Sequence, residues 1–203
     1  MKKEDYLALM MEADTYIIIN KNGKIEKNNV SKAIILSGSF HPLHKGHKEL
    51  LITAEKMTKL KPFFEISIQN VDKENIPIDE MNARISQFKG IGDILVTNLP
   101  TFVEKSSVFQ NSIFVIGFDT AKRILDDKYY IGSKNDALEE IRELGCSFLV
   151  AGRKVDKNFR TKKNLILNKR YKEMFIEISE NRFRIDISST LLRKYYPTNS
   201  KEF

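Results

Sequence analysis

The stretch Ala33-Ile34-Ile35-Leu36-Ser37-Gly38-Ser39-Phe40-His41-Pro42-Leu43-His44-Lys45-Gly46-His47 decides how this chain is read. Its first four residues form a short, unbroken apolar run, which predicts a strand buried on both faces. Downstream, Lys48-Glu49-Leu50-Leu51-Ile52-Thr53-Ala54-Glu55-Lys56-Met57 carries helix formers with apolar residues recurring at helical spacing. A turn containing Gly38, Pro42 and Gly46 joins the two. All three histidines of the 203 residues, His41, His44 and His47, sit on this strand–turn–helix corner. The free N–H groups of a helix start favour an anion. His44 and His47, three residues apart, share one face of the first helical turn. Two imidazoles so placed can hold a phosphate group undergoing reaction.

Working outward, apolar runs alternate with helical patterns. Strands are expected at 32–36, 63–68, 93–96, 113–116 and 147–150, and helices at 45–59, 78–88, 118–125, 135–144 and 188–195. Strands apolar on both faces and separated by helices predict an α/β fold: a Rossmann-like, doubly wound parallel sheet of about five strands with helices on both faces. Such sheets bind ligands at the carboxyl ends of their strands, where strand order reverses. Upstream, a helix at 3–13, a strand at 15–20 and a turn at Asn22-Gly23 suggest an N-terminal helix/hairpin add-on over 1–28, with the main domain over 29–203. The polar, basic run 154–170 is expected to be irregular.

Composition narrows the function. The length suits one domain with a small appendage, and the net charge of +7 suits an anionic ligand without choosing among nucleotide, nucleic acid and acidic protein. The single cysteine, Cys146, permits no intrachain disulfide, which fits a reducing cytoplasm. A zinc site is not expected, because no second cysteine or suitably spaced carboxylate joins the histidines. No apolar run is long enough to span a bilayer, and the N-terminus, acidic directly after Lys2-Lys3, lacks the apolar core of a signal peptide. The expected partners are small-molecule nucleotides, with no membrane. Nucleic acid is not favoured, since the basic stretch from Lys154 to Lys172 lacks interleaved aromatics. A homo-oligomer is left open.

Three elements in order resemble the nucleotidylyltransferase superfamily: the glycine-containing turn with His44-Lys45-Gly46-His47, the segment Gly117-Phe118-Asp119-Thr120, and Ile187-Ser188-Ser189-Thr190-Leu191-Leu192-Arg193. The last is similar to the Ile-Ser-Ser-Thr-x-x-Arg element of nicotinamide mononucleotide adenylyltransferases. The stretch Gly117-Phe118-Asp119-Thr120…Lys128-Tyr129-Tyr130 is similar to a fungal and bacterial subgroup. The resemblance implies Mg²⁺-dependent transfer of AMP from ATP to a nucleotide-type acceptor. Nicotinamide mononucleotide is the leading acceptor, giving NAD and pyrophosphate. It also implies the residue roles. His44, His47 and Arg193 are the catalytic candidates. Gly38, Ser39, Phe40, Gly46, Gly117, Asp119, Arg153, Ser188, Ser189 and Thr190 are nucleotide-binding candidates. Lys73, Arg84 and Asp119 are acceptor-binding candidates. Magnesium would be held mainly by phosphates, with no protein metal site.

The chemistry suits these residue types. An acceptor phosphate displaces pyrophosphate in line at the α-phosphorus, so no protein nucleophile is needed and catalysis is positioning plus charge stabilisation. The Ser188-Ser189-Thr190 start of a helix, with Arg193 one turn on, would add a second anion site and a charged fork. His41 contacts phosphate or caps the turn. Tyr129 and Tyr130 pack as core or stack on a base. The chain has no tryptophan, so a tyrosine, Phe40 or Phe118 would serve as the aromatic shelf that several bacterial relatives build from one. The competing readings are a cytidylyltransferase or phosphopantetheine adenylyltransferase, a nucleotide-binding module without turnover, and an RNA-binding protein.

Overall fold

The computed structural model describes residues 1–69, 74–155, 157–187 and 189–195, with Thr190 and Leu191 described by backbone only. In chain order the elements are α1 (Lys3–Met10), β1 (Tyr16–Ile19), β2 (Ile25–Glu26), β3 (Ala33–Ser37), α2 (Lys45–Thr58), β4 (Lys61–Ser67), α3 (Ile78–Ser86) and β5 (Ile94–Thr97). They continue with α4 (Phe102–Val108), β6 (Ile113–Gly117), α5 (Phe118–Ile124), α6 (Lys134–Glu143), β7 (Ser147–Ala151), β8 (Arg153–Val155), β9 (Asn158–Arg160), β10 (Phe175–Ile178) and α7 (Ser189–Tyr195). Short 3₁₀ turns occupy Asp127–Tyr129, Lys162–Asn164 and Lys169–Met174.

One sheet of eight strands in the order β10-β7-β6-β3-β4-β5-β1-β2 organises the molecule, and β8 and β9 form a separate two-stranded ribbon. The run from β10 to β5 is parallel throughout, while β1 joins β5 antiparallel and β2 joins β1 antiparallel. The chain lays down β3, β4 and β5 in one direction, then returns to place β6, β7 and β10 on the other side of β3. Strand order therefore reverses between β3 and β6, and the crevice beyond their carboxyl ends is where such sheets receive ligands.

Both faces of the sheet are covered because its strands are apolar on both. Ile34 and Leu36 of β3 pack with Leu50, Leu51 and Ala54 of α2 on one side. Ala33 and Ile35 pack with Phe109, Ala121, Ile124 and Ile141 on the other. Each fully buried Ile, Leu or Phe contributes about 1.5–3 kcal/mol. The doubly wound α/β architecture is the expected one, but the strand number is not five. Beyond the five expected core strands, β10 extends the parallel sheet, and β1 and β2 extend its other end. Strand β10 is four residues with one strongly exposed position, too short for a clear apolar run. Residues before 29 pack on the rest of the chain: Leu9 of α1 is buried in the core, and the Tyr6 hydroxyl donates to the Ile76 carbonyl at 2.8 Å.

Helix α4 is a second element missing from the sequence reading. Its start carries a capping box, with Glu104 N–H donating to Thr101 Oγ1 at 3.3 Å and Thr101 N–H to the Glu104 carboxylate at 2.8 Å. The helix buries Lys105 and Ser106, which breaks the apolar period. Lys105 Nζ lies 3.3 Å from the buried Glu65 carboxylate and donates to the Leu99 carbonyl at 2.8 Å, while Thr97 Oγ1 donates to Glu65 at 2.7 Å. Of the basic run expected to be irregular, the first part, to Arg160, pairs as the β8–β9 ribbon, and the rest carries only short 3₁₀ turns. Among the described residues no helix is long and apolar enough to cross a membrane.

Candidate active site

The histidine corner is built from packing. Leu43 is buried, and its N–H donates to the Gln87 side chain at 2.7 Å; Gln87 in turn donates to the Phe40 carbonyl at 3.0 Å. The Phe40 ring is buried and meets Phe64, Phe88 and His47 edge-on, at 5.5, 5.2 and 4.9 Å between centroids. His44 is the N-cap of α2, with extended backbone, and His47 is the third residue of the helix. The first turn of α2 carries no acidic residue, leaving its positive end free for an anion.

The two imidazoles stack, with centroids 3.7 Å apart and planes 22° from parallel. His44 N–H approaches His47 Nδ1 at 3.4 Å. An Nδ1 that accepts leaves the proton of the neutral ring on Nε2. The His44 ring is buried with both nitrogens unpartnered, an arrangement proteins seldom leave unsatisfied outside functional sites. Burial, and secondarily the Lys48 charge, lowers the His44 pKa to about 4. Burial, and secondarily His44, lowers that of His47 to about 3. Both rings are therefore neutral near pH 7, and each retains an N–H to donate.

These side chains border a cavity of about 510 Å³ beyond the carboxyl ends of β3, β6 and β7, at the reversal of strand order. His44, Gly46, His47, Gly117, Arg153 and Ser189 all line it. A Cβ on Gly46 would stand 3.0 Å from the His44 ring, so glycine lets that imidazole fold back over the helix start. Nothing lies within 4 Å of where a Gly117 side chain would project, which leaves the cavity open at that point. Ser189 Oγ donates to the Pro42 carbonyl at 3.0 Å, pinning the C-terminal helix to the histidine corner. Arg193 donates to the His41 carbonyl and adds a second tie between the same segments.

Of the other expected site residues, Gly38, Ser39, Phe40 and Arg84 do not line the cavity. Phe40 belongs to the core and orients His47 from behind, because its ring fills the space under the turn. Gly38 packs against that ring. The Ser39 carbonyl accepts from Arg84 at 3.0 Å, and Arg84 also pairs with Glu80, so that guanidinium serves the outer side of the turn. Asp119, in the first turn of α5, forms an ion pair with Arg153 at the cavity margin, both about half exposed. Lys73 and Ser188 fall outside the described residues, as does the Thr190 side chain.

The sequence reading also passed over the wall formed by Phe183, Ile185 and Ile187. Its signal is the alternation in Phe183-Arg184-Ile185-Asp186-Ile187, which places the apolar residues on one side of an extended segment. A second cavity of about 440 Å³ shares Thr120 with the first and is largely apolar, lined by Phe102, Ile124, Tyr130 and Ile141 among others. Tyr130 donates its hydroxyl to the Ile124 carbonyl at 2.8 Å, and burial pushes its pKa up to about 12. The Arg123 guanidinium covers the Tyr129 ring at 4.8 Å.

The strand–turn–helix corner, the reversal of strand order and the C-terminal helix meeting at one cavity together define a nucleotide-binding α/β class. Residues 35–195 match the cytidylyltransferase-like family, and the chain belongs to it, within the nucleotidylyltransferase superfamily. It is also similar to a Schizosaccharomyces pombe protein that bears the name "Putative nicotinamide mononucleotide adenylyltransferase", at 29% identity over 139 residues. That similarity covers 60% of this chain and 53% of the yeast protein, so the chain spans about half the length of that curated relative.

Proposed function

We propose that this protein transfers the AMP group of MgATP to the phosphate of a nucleotide-type acceptor and releases pyrophosphate, with nicotinamide mononucleotide as the acceptor and NAD as the product. The observation that carries this reading is the stacked, neutral His44–His47 pair, His44 buried and His47 half-buried, opening into one cavity with Ser189 of the C-terminal helix. In the reaction an acceptor phosphate oxygen attacks the α-phosphorus, the bond to the bridging α–β oxygen breaks, and that oxygen leaves with pyrophosphate. The imidazole N–H groups donate to phosphate oxygens as negative charge builds on the leaving group. Because both rings are held neutral, the approaching triphosphate strengthens them as donors by favouring the protonated form.

Magnesium enters as part of the nucleotide substrate. Among the described residues no group of three or more His, Cys, Asp or Glu is arranged to hold a metal. An ion carried on phosphate oxygens and water would need no such group. The Phe183–Ile187 wall offers apolar surface for the nucleotide base. The second cavity, reached past Thr120, offers an apolar bed for the acceptor's ring. The Asp119–Arg153 pair, at the margin of the first cavity, is a candidate contact for ribose and phosphate.

Pyrophosphate release should be measured with ATP or CTP against a panel of phosphate-bearing acceptors, with the nucleotide product identified by mass. ATP with nicotinamide mononucleotide is expected to give the highest turnover and a product of the mass of NAD. Preference for CTP or for a different acceptor would transfer the assignment to another nucleotidylyltransferase. Absence of turnover with every pair, in a protein that binds ATP, would leave a nucleotide-binding module.

A further inference from the structure

The positive charge of this molecule is gathered in one place. Nine Lys or Arg and a single Asp fall between residues 152 and 172, so the remainder of a chain of net charge +7 is close to neutral. The segment comprises the β8–β9 ribbon, which lies outside the main sheet, and the 3₁₀ turns Lys162–Asn164 and Lys169–Met174. Two of its cations are occupied: Arg153 pairs with Asp119, and Arg170 with Glu139 at 2.9 Å. Lys154, Lys157, Lys163, Lys169 and Lys172 are exposed, and none forms an ion pair with a described carboxylate. Like charges so concentrated repel one another and oppose folding, and among the described residues no carboxylate pairs with these five lysines.

The segment is continuous with the cavity, since Arg153 and Lys154 line its margin. We propose that residues 152–155 and 157–172 form a docking surface for the phosphate backbone of single-stranded nucleic acid, running outward from the mouth of the cavity. Lysines are compact point charges suited to backbone phosphates rather than to base edges. Aromatic anchors of the kind that dominate protein–protein contacts are absent from the described part of this surface. Tyr171 is buried, and Phe159 is covered by the Arg184 guanidinium at 5.1 Å. Ile166, fully exposed, is an isolated apolar residue and not the broad apolar face that a membrane-surface segment needs. A cavity of about 510 Å³ at the margin admits one nucleotide but no duplex end, which favours a flexible single strand. Backbone contact requires no aromatic interleaving, so the binding is sequence-independent.

The test is fluorescence anisotropy with a labelled 20-nucleotide oligouridine RNA over a salt series, without ATP or acceptor, so that its outcome is separate from that of the catalytic assay. Wild-type protein should bind, with log K falling against log salt at a slope of about −3, as expected for some four or five phosphate contacts on a single strand. The variant Lys157→Glu/Lys163→Glu/Lys169→Glu/Lys172→Glu should weaken binding by about tenfold or more at low salt. The matching four-fold Lys→Gln variant should give an intermediate loss, and it covers the case in which charge reversal perturbs folding. Both variants should retain wild-type nucleotidyl transfer, since none of the four residues lines the cavity. No binding at low salt, affinity unchanged in the variants, or capture by anionic phosphatidylserine vesicles in the absence of RNA binding would each overturn the proposal.

Discussion

The two walls of the larger cavity described above are made differently. One is the histidine corner, where Leu36, Phe40, Leu43 and Leu50 are buried and His44 and His47 stand at the start of a 14-residue helix. The other is the 183–187 segment leading into a seven-residue helix, extended, largely exposed and tied across by Ser189 and Arg193. The first wall owes its geometry to the core. The second owes it to a few polar ties to the first. The proposed catalytic imidazoles are thus fixed by core packing, whereas the proposed base-binding wall rests on few polar contacts.

The largest separation of the two walls should come from truncating one apolar side chain on each. Phe40→Ala removes a buried ring and is expected to cost about 3–5 kcal/mol of stability, read from the shift in urea midpoint. Ile187→Ala, at a side chain 43% exposed, should stay within about 0.5 kcal/mol yet raise KM for the triphosphate. Equal losses of stability would erase the distinction. Next in size, His47→Ala should lower kcat by about two to three decades with the protein still folded; a change below about threefold would remove the imidazole from the chemistry.

Acid should weaken the first wall selectively. The unfolded chain takes up protons on its histidines near pH 6.5, whereas the folded protein resists until about pH 4 for His44 and about pH 3 for His47. The unfolded state thus binds more protons between these limits. This contribution to stability is full above about pH 6.5 and is lost progressively as the pH falls through the folded values. Melting temperature should therefore drop between pH 7 and pH 4.5, and drop less in a His44→Asn/His47→Asn variant. Parallel curves for the two proteins would show that other groups control the acid limb. The smallest effect is expected for Arg193→Ala. Releasing one tie of the second wall should raise the apparent KM for ATP a few-fold, with acceptor KM unchanged; an unaltered ATP response would make that tie structural only.

How much could be read beforehand follows the same division. The β3–α2 corner was legible because its strand, turn and helix signals are contiguous and its histidines are scarce. The parallel sheet was legible because Ile34, Phe63, Leu95, Phe114 and Phe148 mark strands buried on both faces. Strand β10 was missed since Phe175-Ile176-Glu177-Ile178 is brief and Ile176 faces outward. Helix α4 was missed since its buried positions include a lysine, whose partner Glu65 lies forty residues away and could be matched to it only in three dimensions. The second wall is half legible: the hydroxyl-rich helix start is a local signal, whereas nothing local in the Phe183–Ile187 alternation says what the segment lies against. Arg153 and Asp119 were both singled out, but that they engage each other is a fact of tertiary placement.

The antiparallel strand β1 has a consequence for anyone who trims this protein. It shields β5, whose Ile94, Leu95 and Val96 are otherwise buried on both sides. The border it leaves is β2, two residues flanked by Lys24 and Lys27, a poor template for another chain to extend. Cutting away the first 28 residues would uncover a sticky seam along the oily side of β5, and the product should self-associate through that seam even with its histidine corner intact.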